Sequence, residues 1–263
     1  MLFRIIYLKK TTRSMQAQIV KYFENQNAQI LSENPPSSWE VAKKEFPRLT
    51  KGWYELATIQ DEVRQEFLRD YWTNALPYSP QLYAFVDRFF AKVVETEIVA
   101  IKGGIFLTYG MRDEKGFYLG GPPLSDMEVS ASLNPLDFPF PSDFLRFFRI
   151  HNGFFKGGDT GILSIGVMIE EADRFRSLDL RLKMGRNAIS TASLFPFYRS
   201  FGLDVYQCFY QDWYPDGGVG NVLCSLSEET VSDYHLKETG NDQLAFPSFL
   251  EWLMFYMEDI SGQ

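Results

Sequence analysis

Residues 140–154 read FPSDFLRFFRIHNGF, and this stretch decides how the second half of the chain is interpreted. Its aromatic and aliphatic side chains recur at helical spacing, which predicts a helix with a wide apolar face. Pro141 and Ser142 are typical of a first helical proline and an N-cap, and Asp143 suits the positive end of the helix dipole. The stretch therefore predicts a helix that begins near Pro141.

The same stretch closes with a helix end. Gly153 is typical of the left-handed residue that follows a helix, and the predicted last turn contains His151 and Asn152. A catalytic histidine is expected beside a nucleophile or in a recognisable motif, and none is present here. We therefore interpret His151, Asn152 and Gly153 as structural residues.

Downstream of this helix the chain alternates strand and helix signals. TGILSI (160–165) predicts a strand, residues 169–185 predict an amphipathic helix, and LFPF (194–197) predicts an extended segment. Residues 204–226 carry Pro-Asp-Gly-Gly between two aromatic and β-branched runs, which predicts a hairpin. FPSFLEWLMFYMED (246–259) predicts a terminal helix that buries an apolar face, Trp252 included.

Upstream of residue 131 the pattern differs. Residues 15–31 have apolar side chains at helical spacing, which predicts a helix. Further helices are predicted at 38–46, 58–76 and 79–95, each of which begins with a polar residue, so this part begins as a helical layer. Residues 97–111 and 116–121 then predict a β-hairpin, with Gly103 and Gly104 marking a bulge or an earlier turn. We expect two parts, 1–130 and 131–263, although the first part is also able to complete the fold of the second.

The acidic charge lies in the last quarter of the chain. The net charge is −8, and residues 200–263 carry 1 Lys or Arg against 11 Asp or Glu, which is −10. Such a surface repels nucleic acid and anionic lipid and attracts a basic partner, although a merely solubilising face has the same composition. No run approaches the roughly 20 apolar residues of a membrane span. We expect no nucleic-acid partner and no membrane insertion.

The residue types that carry chemistry are sparse. The two histidines lie in no catalytic motif, and no His, Cys and Asp grouping has metal-ligand spacing. No dinucleotide or phosphate-loop motif is present, so we expect no cofactor and no metal, and an enzyme is the least favoured class. Cys208 and Cys224 are the only cysteines and are expected to be buried free thiols, which indicates a reducing cytoplasm.

The order of these motifs resembles the SUKH superfamily, which includes Smi/Knr-type regulators of cell-wall synthesis and bacterial toxin-immunity proteins. The match extends over residues 131–258. The resemblance implies an α+β fold with a mainly antiparallel sheet and flanking helices, and a non-enzymatic role in binding a protein. Two features depart from the family pattern: the first 130 residues, and SASLNPLD (130–137), which looks like a loop where the family has a helix.

The predicted partner site is the tip of the hairpin at 204–226. Trp213 and Tyr214 are large aromatic side chains beside a turn, and Asp212 and Asp216 flank them. Aromatic side chains at such a tip either fold back onto the sheet or act as anchors for a partner. The leading hypothesis is an immunity protein that neutralises a basic, nuclease-like toxin. The alternatives are a regulatory scaffold and an enzyme of unrecognised class; oligomeric state stays open.

Overall fold

The chain divides into two compact units. A computed structural model describes residues 16–112, 116–215, 218–235 and 244–258. The first unit takes in the described residues up to Pro123 together with Phe155–Gly157, and the second takes in Leu124–Phe154 and the described residues from Gly158 onward. The boundary after Pro123 lies within ten residues of the expected boundary at 130. The segment Phe155–Gly157, which comes later in the chain, also belongs to the first unit.

Side chains cap the start of three helices in the first unit. Ser38, Thr50 and Ser79 each accept a hydrogen bond from a backbone N–H in the first turn of the helix that follows. The described residues of this unit form five helices: α1 (16–22), α2 (Trp39–Glu45), α3 (Lys51–Thr58), α4 (Asp61–Ala75) and α5 (Pro80–Lys92). α1 is shorter than the predicted helix at 15–31, because a strand occupies the end of that range.

The sheet of the first unit is antiparallel, and its strands follow chain order. They are β1 (Gln29–Ile30), β2 (Val93–Ile101), β3 (Gly104–Met111) and β4 (Phe117–Gly120). Gly103 has a φ of 90° and turns β2 into β3, so the glycine pair marks a turn and not a bulge. Trp72 of α4 and Phe89 of α5 pack on Tyr109 of the sheet, with ring centroids 5.8–6.0 Å apart.

In the second unit the described residues form four helices and most of the strands. Its helices are α6 (Asp126–Leu133), α7 (Ser142–Phe147), α8 (Ile165–Leu178) and α9 (Phe249–Met257). β5 (Phe154–Lys156) is divided between the units after Phe154. The other strands are β6 (Gly161–Ile162), β7 (Arg181–Met184), β8 (Asn187–Ser190), β9 (Leu194–Arg199), β10 (Val205–Tyr210), β11 (Asn221–Ser225), β12 (Thr230–Val231) and β13 (Ala245–Phe246).

The strands of the second unit pair in the order β6-β9-β10-β11-β12-β7-β8, and β13 also pairs with β11. All of these pairs are antiparallel except β12 with β7. Tyr206 and Cys208 pack with Phe175 of α8 on one face. Phe209 points to the other face, where it packs on Phe144 of α7. The predicted α+β fold with a mainly antiparallel sheet and flanking helices is confirmed.

Two helix predictions around residue 140 are wrong. Residues 130–137 are not a loop, since α6 extends to Leu133 and a short 3-10 turn follows it. Ser125 and Glu128 form a capping box that stabilises the start of this helix. α7 ends at Phe147, so His151 and Asn152 lie beyond the helix instead of in its last turn. Among the described helices, none combines the length and the apolar character needed to span a membrane.

Candidate functional site

The hairpin of β10 and β11 presents the predicted partner residues. Asp212 is exposed and Tyr214 is 54% exposed, whereas Trp213 is partly buried. The Trp213 ring stacks on Tyr234 with centroids 4.5 Å apart, and it lies so close to the Gly220 backbone that a Cβ there would overlap the ring. Asp216 lies outside the described residues.

Trp213 is folded back onto the sheet, which is one of the two arrangements that the sequence left open. Its indole ring is packed against the core of the second unit, because a large apolar ring beside a hairpin gains more by covering the sheet than by facing water. Tyr214 is the aromatic side chain of this turn that stays available to a partner. Trp213→Ala is consequently expected to destabilise the fold, and it is unsuitable as a probe of binding.

A groove of about 510 Å³ opens beside Tyr214; we call it the Tyr214 groove. It lies among the segment before α7, the hairpin turn and the start of α9. Four prolines, two aromatic residues and a valine supply its apolar lining: Pro139, Pro141, Pro215, Pro247, Phe140, Tyr214 and Val219. Asp143 and Glu251 contribute carboxylates, and the described residues around the groove include no lysine or arginine. The groove thus combines apolar and polar lining residues, and the charge of its lining is acidic.

The two carboxylates of the groove differ in environment. Asp143 accepts the backbone N–H of Phe144 at 2.8 Å and that of Leu250 at 3.1 Å, so it fastens the start of α9. Burial raises the pKa of Asp143, and these N–H donors oppose the rise by stabilising its charged form. Glu251 is exposed in the first turn of α9, where a negative charge also suits the helix dipole.

The predicted structural residues lie where the chain changes direction. Pro141 is the N-cap residue of α7 and not its first helical residue, and no side chain caps this helix. His151 is buried and stacks on Phe154 with centroids 5.4 Å apart. Asn152 Oδ1 accepts the N–H of Ile165 at 2.8 Å and so caps α8. Gly153 has the predicted positive φ, 89°.

Trp252 of α9 is buried against the sheet. Its ring meets Phe197 of β9 edge-on at 4.8 Å and stacks on Tyr256 at 5.3 Å. Tyr256 and Tyr198 both donate to Asp159 Oδ2, each at 3.3 Å. Burial together with the nearby Asp159 charge raises the pKa of Tyr198 to about 12. These contacts hold α9 on the sheet, and with it the Glu251 side of the groove.

A second polar cluster lies inside the first unit. Buried Arg64 donates to the carbonyls of Leu56 at 2.9 Å and Ile59 at 3.1 Å, and its guanidinium is 3.2 Å from Glu97. Glu95 is 1% exposed, and neither of its carboxylate oxygens has a hydrogen-bond partner. Burial, followed by the charges of Glu97 and Asp61, raises the pKa of Glu95 to about 8. The carboxyl of Glu95 is therefore mostly protonated at neutral pH.

Sequence reasoning missed both the groove and this cluster. The groove depends on three segments that are distant in sequence, and only its Tyr214 side had a local signal. Within the described ranges, no three His, Cys, Asp or Glu side chains are grouped so as to hold a metal ion. No family model, no curated protein and no solved structure matches the chain.

Proposed function

We propose that the chain is a non-enzymatic protein-binding module of SUKH type that holds a basic partner at the Tyr214 groove. The observation that carries this proposal is the position of Tyr214, which is 54% exposed at the edge of a groove with acidic charge. Exposed aromatic residues beside a concave surface are frequent binding hot spots, and carboxylates around them favour cationic partners.

Three further features support the SUKH and immunity interpretation. α6 lies directly before the Phe-Pro segment, which is where the SUKH pattern has a helix. The charge of −10 on residues 200–263 suits a basic, nuclease-like toxin. Cys208 and Cys224 are buried and free, which suits a reducing cytoplasm. An immunity protein of this kind acts by occupying the toxin, so binding alone suffices for its function.

The test is affinity purification of the full chain from its source cells at low and at high salt. A single stoichiometric basic protein that is lost at high salt is the expected result, because salt screens exposed charges over about 8 Å. Several partners of mixed charge indicate a regulatory scaffold instead. A bound small molecule, or no protein partner at either salt concentration, contradicts the proposal.

Variants then locate the site. Tyr214→Ala is expected to weaken binding of the recovered partner by about 2 kcal/mol or more with little change in melting temperature. Asp212→Asn with Glu251→Gln is expected mainly to slow association. Tyr78→Ala is the matched control, because Tyr78 is a 73% exposed tyrosine in the first unit. If Tyr214→Ala binds as tightly as the unchanged protein, the partner site lies elsewhere.

A further inference from the structure

The outer face of α4 carries a line of exposed apolar side chains. Val63 is 52% exposed, Phe67 is 55% exposed and Tyr71 is 39% exposed. Their spacing of four residues places them one above another on one side of the helix. The rings of Phe67 and Tyr71 stack at 6.4 Å with only 9° between their planes. We call these three residues the α4 stripe.

α4 packs on the first unit through a different side of the helix from the α4 stripe. α4 is held by the opposite side of the helix, where Leu68, Trp72 and Ala75 are buried. Trp72 donates a hydrogen bond to the Tyr109 hydroxyl, and its ring contacts Phe89 and Phe90 of α5. Scattered exposed apolar residues are ordinary, but three in register on one helix form a continuous surface.

A row of carboxylates runs beside the stripe. Glu62, Glu66 and Asp70 each precede a stripe residue by one position and are exposed. Asp70 pairs with Arg69 at 3.2 Å. Glu62 and Glu66 add two negative charges along the same edge. An apolar line with an acidic edge is complementary to an amphipathic helix whose apolar side chains are flanked by lysine or arginine.

We propose that the α4 stripe is a second protein-binding surface, and that its partner is a basic amphipathic helix of another protein. The stripe extends over two helical turns, about 12 Å at 1.5 Å per residue, so a partner helix of three or four turns covers it. The acidic edge repels anionic lipid. It also disfavours a second copy of the chain, which would bring two acidic edges to one interface.

The test uses the full chain and two labelled helical peptides of about 18 residues, measured by fluorescence anisotropy. Both peptides carry leucine at the spacing of the stripe. One has lysines along the flank, and the other has glutamates at the same positions. The lysine peptide is expected to bind at least tenfold more tightly than the glutamate peptide. Failure of the lysine peptide to bind, or equal binding of the two peptides, overturns the proposal.

Variants assign the binding to the stripe. Phe67→Ala is expected to weaken binding of the lysine peptide at least tenfold with an unchanged melting temperature. Glu62→Lys with Glu66→Lys is expected to reverse the preference toward the glutamate peptide. Phe201→Ala is the control, because Phe201 is 69% exposed in the second unit. Peptide binding that survives Phe67→Ala overturns the proposal. The proposal is also overturned if Phe67→Ala abolishes self-association or vesicle binding of the chain but leaves peptide binding unaffected.

Discussion

Glu95 is a residue whose protonation at neutral pH the fold changes. Its carboxyl is buried without a hydrogen-bond donor and faces the charges of Glu97 and Asp61, with Arg64 the nearby cation. A buried carboxyl that keeps its proton avoids the large cost of an unpaired buried charge. Because the pKa of Glu95 is raised to about 8 from an ordinary value of 4.5, the folded state holds this proton more tightly than the unfolded state.

Glu95 consequently makes stability depend on pH. Its contribution is full below pH 4.5 and is lost as the pH rises from 4.5 to about 8, because in this range the folded protein holds a proton that the unfolded chain has already released. Relative to Glu95→Gln, the unfolding free energy of the unchanged protein is expected to fall by about 1.4 kcal/mol per pH unit in this window. Urea unfolding at several pH values measures it.

The control for this prediction is Glu66→Gln, which neutralises an exposed carboxylate of α4. It should leave the pH dependence of the unchanged protein in place. Parallel curves for Glu95→Gln and the unchanged protein between pH 5 and 8 would show that Glu95 does not keep its proton in the folded state.

At the scale of the element, the start of α8 depends on a residue thirteen positions earlier in the chain. Ser164 is the N-cap residue of α8, but its side chain makes no capping bond. Asn152 accepts the Ile165 N–H instead, and Gly153 permits the turn that follows Asn152, because its φ of 89° is a conformation that other residues rarely adopt. The His-Asn-Gly sequence thus follows the turn after α7, and its Asn152 caps the start of α8.

Asn152→Ala is expected to lower the unfolding free energy by about 1 kcal/mol, because it removes the side-chain acceptor from the first turn of α8. Asn152→Asp keeps an acceptor and adds a negative charge at the helix start, so it should restore most of the loss. Denaturant unfolding measures both variants. Asn134→Ala, at an exposed position after α6, is the control. Equal stability of Asn152→Ala and the unchanged protein would contradict the capping role.

For the molecule as a whole, the sheet of the second unit separates two apolar layers. Cys208 and Cys224 lie in the layer beneath α8, each with no exposed surface. In the hairpin register Cys208 is opposite Val222 and Cys224 is opposite Tyr206, so the thiols are diagonal neighbours on one face. Burial raises the pKa of the Cys208 thiol, which lowers its reactivity further.

Both thiols are therefore expected to react only when the second unit unfolds. A chromogenic thiol reagent should modify Cys208 and Cys224 slowly and together in native buffer, and rapidly in denaturant. The labelling rate should follow the unfolding rate as urea is added. Fast modification of either thiol in native buffer would show that this part of the sheet opens by itself.

Local signals determined much of the secondary structure. The hairpin of β10 and β11, the positive φ of Gly153 and the buried face of α9 follow from turn chemistry and apolar spacing within a few residues of each feature. α6 also had a local signal, the capping box of Ser125 and Glu128, which the loop prediction overlooked. The α+β class follows from these elements taken together.

Only the tertiary structure decided which side chains face solvent. Trp213 and Tyr214 are adjacent in sequence and similar in character, yet Trp213 covers Gly220 and Tyr214 borders the groove. The cap that Asn152 gives α8 and the burial of Glu95 also depend on segments far apart in the chain. Sequence patterns report local conformational preference, whereas burial and long-range hydrogen bonding depend on how distant segments pack.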